Sequence, residues 1–162
     1  FDLSAIAKGK IVDLVRLFLI ENGYDNFLID AGGDIYVRGL TDQNRKWRIA
    51  IQDPVNSDRF SGILEKTDTA IVTSGDYERY FIEDNIRYSH LLNPKTGYPF
   101  SDCRSVTVLT DDTSYGDAIA TAVFVMGSAK GYAFLESRGI KGLIMYMDDK
   151  KLKTISTNEF WN

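Results

Sequence analysis

The sequence predicts an α+β domain in which helices pack on one face of an antiparallel sheet. Short strand-like runs that end in Gly-, Asp- or Asn-containing turns recur along the chain, whereas helical periodicity is confined to three segments. Strands joined by tight turns pair antiparallel, and helices that share one face of such a sheet give the α+β class. The 162 residues contain no repeat, low-complexity segment or linker, so we expect one domain or one lobe of a larger protein.

The first element is an amphipathic helix in the segment AIAKGKIVDLVRLFLIENG. Its apolar residues recur at helical spacing, and Gly23 suits the left-handed residue that often follows a helix. These apolar positions are Ile11, Val12, Leu14, Val15, Phe18 and Leu19. Two later segments, SYGDAIATAVFVMG and AKGYAFLESRG, are predicted as helices divided near Gly127.

The strands are predicted from segments in which apolar and polar residues alternate and which are bounded by turn residues. NFLIDAGGDIYVRG predicts a strand, a Gly-Gly turn and a second strand, and KWRIAIQDP predicts a strand that stops at Pro54. A polar loop over 55–62 leads to GILEKTDTAIVTSG, which predicts two short strands around Thr67-Asp68. YERYFIEDNIRYSHLL predicts a hairpin that turns at Asp84-Asn85, and RSVTVLT predicts a strand. KGLIMYMDDKKLKTIST predicts a closing hairpin that turns at 148–150.

Composition excludes several classes of protein. The net charge is −4 and the 19 basic residues are scattered, so no basic stripe indicates nucleic acid as the ligand. No apolar run approaches the roughly 20 residues that a membrane-spanning helix needs. Cys103 is the only cysteine, which excludes an internal disulfide framework and a zinc site with several cysteines.

Asp117 and Thr121 form the first candidate site. They are four residues apart on a predicted helix, so their side chains share one face at about 6 Å between Cβ atoms. A carboxylate and a hydroxyl are hard oxygen ligands that suit Mg²⁺. The alternative is structural, because Ser114-x-x-Asp117 matches a capping box and Thr121 could pack among alanines. Spacing alone favours this structural interpretation.

The segment FDLSAIAKG precedes and opens the first helix. Asp2 and Ser4 are both candidate caps. Lys8 lies near the helix start, where a cation is unfavourable unless an anion is close; a phosphate would satisfy both the lysine and the helix N-terminus. A solvated lysine is the more common explanation.

Two glycine-containing turns, DAGGDI and TSGDY, are each followed by an aspartate. Such turns allow the backbone to approach a ligand closely, but they also occur in ordinary hairpins.

His90 is the only histidine, and it lies where a strand ends before a loop containing two of the three prolines. An imidazole with a pKa of about 6.5 can act as a general base at neutral pH. No nucleophile pattern accompanies it, so a Ser-His-Asp hydrolase is not indicated. A histidine that only bonds a loop carbonyl is an equally good interpretation of these residues.

Together these segments resemble the flavin transferase (ApbE) family. The matching segments occur in the family's order over most of residues 2–127: DLSAIAKG, AGGDI, VTSGDYERYF, RYSHLLNPKTGYP, SVTVLT and DAIATAVFVMG. The resemblance implies an α+β fold of T-fold-like units. It also implies an enzyme that uses Mg²⁺ and takes FAD as substrate. That enzyme attaches FMN by a phosphoester bond to a threonine (or serine) of an acceptor protein and releases AMP.

The resemblance also implies roles for particular residues. Asp117 and Thr121 would bind the metal together with the Ala5 carbonyl, and His90 would take the proton from the acceptor hydroxyl. The remaining matches would contact the flavin nucleotide or line its pocket: Asp2, Lys8, Leu91, Gly32, Gly33, Ser74, Gly75 and Asp76.

The chain departs from the family in its extent. It corresponds to the C-terminal portion, residues 1–162, and the family's N-terminal half, which contributes much of the FAD cleft, is absent. Lys10, Asn93 and Gly116 also differ from common family residues but have no assigned role. Two alternative functions stay open: an FAD pyrophosphatase that yields FMN and AMP, and a flavin-binding or structural lobe without catalysis. Family members are mostly exported bacterial proteins, so the expected location is the periplasm or the outer face of the inner membrane through a lipid anchor.

Overall fold

The computed structural model describes residues 3–76, 80–83, 86–99 and 102–162. The elements are, in chain order, α1 (Ser4–Glu21), β1 (Phe27–Asp30), β2 (Asp34–Arg38), β3 (Trp47–Gln52), β4 (Phe60–Lys66), β5 (Thr69–Gly75), β6 (Tyr80–Glu83), β7 (Ile86–Ser89), β8 (Cys103–Thr110), α2 (Thr113–Met126), α3 (Ser128–Arg138), β9 (Lys141–Asp148) and β10 (Lys151–Ser156).

A six-stranded antiparallel sheet with the order β1-β2-β5-β8-β9-β10 forms the centre of the structure. The register pairs Asp34 of β2 with Val72 of β5, and Ser74 of β5 with Val106 of β8. The start of β2 and the end of β5 therefore lie at the same end of the sheet. Together with the helices described next, this sheet confirms the predicted α+β class.

The three helices pack on one face of this sheet, as predicted. Val12 of α1, Phe124 of α2 and Leu135 of α3 are fully buried against sheet residues that include Val106 and Ile144. Each such side chain contributes about 1.5–3 kcal/mol relative to exposure. Gly127 separates α2 from α3 with a backbone conformation of φ 82° that favours glycine, which confirms the predicted division.

The opposite face of the sheet is covered by a two-stranded ribbon formed by β3 and β4. Ile49, Ile51 and Leu64 of the ribbon pack with Ile71 and Met145 of the sheet. The two strands predicted around Thr67-Asp68 are present, but they belong to different sheets because β4 pairs with β3 and β5 pairs with β2 and β8. The sequence pattern did not indicate this second covered face.

Two hairpins complete the fold. β6 and β7 pair antiparallel in a small sheet of their own, as predicted, although the turn at Asp84-Asn85 lies outside the described residues. β9 and β10 close the sheet, and their turn at Asp149 and Lys150 has positive φ at both positions, which suits a tight hairpin.

Within the described residues, no helix has both the length and the apolar character needed to cross a membrane.

Candidate functional site

A cavity of about 420 Å³ lies where the start of α1, the middle of α2, the end of β5 and the segment after β7 meet. It brings together most of the residues predicted from the sequence. Its lining residues are Ala5, Ala7, Lys8, Ile11, Thr73, Ser74, Gly75, His90, Leu91, Asp117 and Thr121.

Contact between α1 and the N-terminus of α2 sets the geometry of this cavity. Gly9 permits the approach, because a Cβ atom there would lie 2.5 Å from the Thr113 carbonyl oxygen. The Asp13 carboxylate accepts the backbone N–H groups of Thr113 (2.8 Å) and Ser114 (2.9 Å). Burial opposes ionisation of Asp13, but the hydrogen bonds from Ser114 and Thr113 outweigh it and lower the pKa of this carboxyl. A residue of α1 therefore caps α2.

Asp117 is not part of a cap, so the capping-box interpretation is wrong. The N-cap of α2 is Asp112, whose carboxylate accepts the Tyr115 N–H at 2.8 Å. Asp117 lies further along the helix, is buried, and accepts the Gly9 N–H through Oδ2 at 3.0 Å. Burial raises the pKa of the Asp117 carboxyl, while the Gly9 hydrogen bond and the Lys8 charge act in the opposite direction. A cation in the cavity would offset this desolvation.

Thr121 lies one turn beyond Asp117 and lines the same cavity. Its Oγ1 is 3.1 Å from the Oγ of Ser74 on β5, so it hydrogen-bonds across the cavity rather than packing among alanines. The described residues contain no cluster of three or more His, Cys, Asp or Glu side chains that could hold a metal. The oxygen donors present fit Mg²⁺ nevertheless, since this ion uses one or two carboxylates and completes its shell with other oxygens.

Lys8 has a protein carboxylate as its anionic partner. Its Nζ lies 3.3 Å from Oδ1 of Asp34 and donates a hydrogen bond to the Gly32 carbonyl at 3.1 Å. Asp34 is fully buried and also interacts with Asp117. The contact between Asp34 and Lys8 was not predicted from the sequence. The feature that could have indicated it is the position of Asp34 directly after the glycine pair of DAGGDI. The cap predicted for Ser4 is wrong, because Ser4 is the first residue of α1 and the N-cap position is occupied by Leu3, which forms no side-chain capping hydrogen bond.

The glycine pair provides a hydrogen-bond acceptor for Lys8 but does not line the cavity. Gly32 and Gly33 have φ values of 65° and 94°, which other residues rarely adopt. The Gly33 N–H donates to Asp30 Oδ1 at 3.1 Å, and its carbonyl accepts the Thr73 N–H at 3.2 Å. This turn therefore fixes the Gly32 carbonyl that binds Lys8.

The turn predicted at Ser74-Gly75-Asp76 is wrong for its first two residues, because Ser74 and Gly75 belong to β5 and pair with β8. Ser74 and Gly75 line the cavity, whereas Asp76 is not among the lining residues. Asp76 is buried and forms an ion pair with Arg104 on β8. Asp76 therefore anchors the end of β5 from outside the cavity.

His90 and Leu91 directly follow β7 and also line the cavity. Leu91 donates its N–H to the Ser89 hydroxyl at 2.9 Å, which fixes the backbone beside His90. The following loop folds back on itself, since the Asn93 N–H donates to the Tyr98 carbonyl at 2.8 Å. Asp2, the remaining predicted residue, lies outside the described residues.

The chain is similar to known proteins over nearly its whole length. Residues 1–144 match the family model described as the ApbE family. The chain is 40% identical over 161 residues to the FAD:protein FMN transferase of Vibrio cholerae serotype O1, and the match covers 98% of this chain and 48% of that protein. The FAD:protein FMN transferase of Treponema pallidum is 36% identical over 160 residues, with 92% of this chain and 44% of that protein covered.

Solved structures give the same result. The flavin transferase ApbE from Vibrio cholerae has a TM-score of 0.87 at 40% identity, and the match covers 98% of this chain and 51% of that chain. The ApbE protein from Thermotoga maritima has a TM-score of 0.90 at 33% identity, with 99% and 52% covered. The chain therefore spans about half the length of the relatives that it matches.

Proposed function

This chain belongs to the ApbE family, and on that premise we propose that it supplies catalytic residues to a Mg²⁺-dependent FAD:protein FMN transferase. One observation carries the proposal. His90, Lys8, Asp117 and Thr121 come from three separate parts of the sequence, yet all line one cavity.

The proposed reaction transfers FMN from FAD to a threonine (or serine) hydroxyl of an acceptor protein. The hydroxyl oxygen forms a bond to the phosphorus of the FMN phosphate, and the bond from this phosphorus to the oxygen that links it to AMP breaks. AMP leaves with that oxygen, and His90 accepts the hydroxyl proton.

The other residues position the substrate and balance its charge. Lys8 lines the cavity and its charge acts on Asp117, while Asp34 and the Gly32 carbonyl hold its ammonium group in place. Asp117 and Thr121, with the Ala5 carbonyl, would hold Mg²⁺, which would neutralise charge on the pyrophosphate as its bond breaks. Positioning and charge stabilisation of this kind are the main contributions of a protein to phosphoryl transfer.

The test uses the full-length protein with FAD, Mg²⁺ and an acceptor protein that carries a threonine site. We expect covalent flavin on the acceptor, detected by fluorescence after denaturing electrophoresis, together with one AMP per flavin attached. His90→Ala should abolish labelling, whereas Arg48→Ala, at an exposed ribbon position, should not change it.

Two results would contradict the transferase. Accumulation of FMN and AMP without acceptor labelling would identify an FAD pyrophosphatase. Absence of any FAD turnover, or turnover unchanged by His90→Ala, would identify a non-catalytic lobe.

On the family relationship alone, we further propose a location in the periplasm or on the outer face of the bacterial inner membrane. Protease accessibility of the full-length protein in intact spheroplasts tests this, and complete protection would contradict it.

A further inference from the structure

Two hydroxyl side chains, those of Ser74 on β5 and Thr121 on α2, meet at the edge of an apolar interface. Side chains alternate along a strand, so Ser74 shares its face of the sheet with Ala70 and Val72. Both of these residues are fully buried in the core between the sheet and the helices. Ser74 is buried as well, so a polar side chain continues an apolar row where that row reaches the cavity.

Packing accounts poorly for this pair. Ala120 and Phe124 of α2 are apolar and fully buried in the same core. A buried hydroxyl costs free energy unless it is hydrogen-bonded, and two apolar side chains of similar shape would avoid that cost. The 3.1 Å contact between Ser74 Oγ and Thr121 Oγ1 offsets the cost without improving on an apolar pair. A role in the cavity therefore explains the two hydroxyls better than a contribution to stability.

The helix offers the Thr121 hydroxyl a competing partner. A threonine in a helix divides between two rotamers, because its hydroxyl can bond the carbonyl three or four residues earlier. Asp117 lies four residues earlier, so its backbone carbonyl is such an acceptor. In the structure, Thr121 Oγ1 instead lies 3.1 Å from Ser74 Oγ, and both residues line the cavity. The contact with β5 therefore selects one orientation of this hydroxyl.

The two candidate ligands on α2 are each held by another element. The Asp117 carboxylate accepts the Gly9 N–H of α1 at 3.0 Å, and Thr121 contacts Ser74 of β5. Hydrogen bonds of this kind orient metal ligands, and their loss lowers metal affinity by about 10–100-fold. Gly9 acts through its backbone, so a side-chain substitution cannot remove its bond. Ser74 is the partner whose contribution can be removed and measured.

We propose that Ser74 is a positioning residue, which holds the Thr121 hydroxyl so that its oxygen is available to Mg²⁺. This inference rests on the proposed function, which assigns Thr121 to the metal. A hydroxyl has one proton and two lone pairs, so an oxygen that gives a lone pair to a cation can still donate its proton. Thr121 is therefore the donor and Ser74 Oγ the acceptor. Without the Ser74 hydroxyl, the Asp117 carbonyl becomes the acceptor and draws the Thr121 hydroxyl back onto the helix.

Mn²⁺ binding to the full-length protein tests this role without turnover, with free Mn²⁺ measured by electron paramagnetic resonance in the absence of flavin. We expect Ser74→Ala to raise the Mn²⁺ dissociation constant at least about tenfold. Thr107→Val is the matched control, because it removes a hydroxyl that lies 2.8 Å from Thr73 Oγ1. Thr107 is buried on β8 and is not among the residues that line the cavity, so this variant should leave the constant unchanged.

A double-mutant cycle distinguishes positioning from direct binding. We expect Ser74→Ala to have no further effect on Mn²⁺ affinity in a Thr121→Val background, because a residue that acts through Thr121 has nothing left to orient. An equal effect in both backgrounds would show that Ser74 acts on the metal independently of Thr121, and it would overturn the positioning role.

The remaining outcomes separate this inference from the proposed function. Unchanged Mn²⁺ affinity in Ser74→Ala, with a lower urea midpoint, would assign the hydroxyl pair to stability. That result would overturn the inference and leave the metal role of Asp117 and Thr121 standing. Absence of Mn²⁺ binding by the unsubstituted protein would overturn the metal role itself, and the positioning role of Ser74 with it.

Discussion

The Lys8 ammonium nitrogen lies 3.3 Å from the Asp34 carboxylate, and this ion pair connects the first helix to the second strand of the sheet. The two side chains differ in environment, since 36% of Lys8 is exposed whereas Asp34 has no exposed surface. The pair therefore fixes the position of the Lys8 ammonium group, and Lys8 lines the cavity. Four predictions follow from this pair and from the contacts around it.

Replacing Asp34 with asparagine removes the buried charge while keeping the size of the side chain. Loss of one partner of a buried ion pair costs about 3–5 kcal/mol, but Lys8 is partly exposed and can be rehydrated, so we expect a loss of about 1–3 kcal/mol. Urea unfolding of the full-length protein measures this. Glu65→Gln, in the exposed pair with Arg48, is the matched control and should cost less than about 0.5 kcal/mol. Equal costs for the two variants would show that the Lys8–Asp34 pair is not structural.

Replacing Asp117 with asparagine separates the proposed metal role from a folding role. The amide oxygen can still accept the Gly9 N–H, so the contact between α1 and α2 is retained. We expect Mg²⁺-dependent FAD turnover to fall at least about 100-fold while the melting temperature is unchanged or higher, because a buried charge is lost. Asp111→Asn, at an exposed position before α2, should leave turnover unchanged. Parallel loss of turnover and folding would instead assign Asp117 a structural role.

Replacing Gly9 with alanine tests the close approach of α1 and α2. In an exposed helix this change stabilises by about 1 kcal/mol. Here the added methyl group would meet the Thr113 backbone at 2.5 Å, which cannot move as a side chain could, so we expect a destabilisation of about 1–3 kcal/mol. Lys10→Ala, one residue further on the exposed side, should change stability by less than about 0.5 kcal/mol. A stabilising effect of Gly9→Ala would contradict the contact.

Replacing Asp13 with asparagine tests the cap that α1 provides for α2. The native pKa of Asp13 is lowered, so its ionised form stabilises the fold above the unfolded pKa, and this contribution is lost as pH falls through the native pKa. We expect Asp13→Asn to cost about 1 kcal/mol at pH 7 and progressively less below about pH 4. Urea unfolding over pH 3–7 measures the difference from the unsubstituted protein. A cost that does not change with pH would show that the charge of Asp13 is unimportant, and Asp42→Asn provides an exposed control.

Local features of the fold were predictable because each depends on residues close in sequence. Helix α1 continues to Glu21 and is followed by Gly23 with φ 81°, as its spacing and terminal glycine indicated. Pairing between distant segments was not predictable in the same way. The run around Thr67-Asp68 has the appearance of a hairpin, but β4 pairs with β3 in the ribbon and β5 pairs with β2 and β8 in the central sheet. The two strands pack face to face, through Leu64 and Ile71, rather than side by side.

The candidate site was likewise predictable only where it depends on residues that are close in sequence. Spacing placed Asp117 and Thr121 on one face of a helix, and both line the cavity. Spacing could not distinguish a cap from a ligand, because the group that caps α2 from outside is Asp13, 100 residues away from Thr113. The role of Asp34 was missed for a similar reason, since its partner Lys8 lies on another element.

Strand β5 has hydrogen-bonded neighbours on both sides, β2 and β8, and it carries Ser74 and Gly75 into the cavity at its end. A central strand is released only when the whole domain unfolds, unlike a surface loop that can open by itself. A ligand that contacts Ser74 and its partner Thr121 therefore raises the free energy of global unfolding by its binding free energy. Occupancy of the cavity should consequently be readable as a rise in melting temperature that grows with the logarithm of ligand concentration.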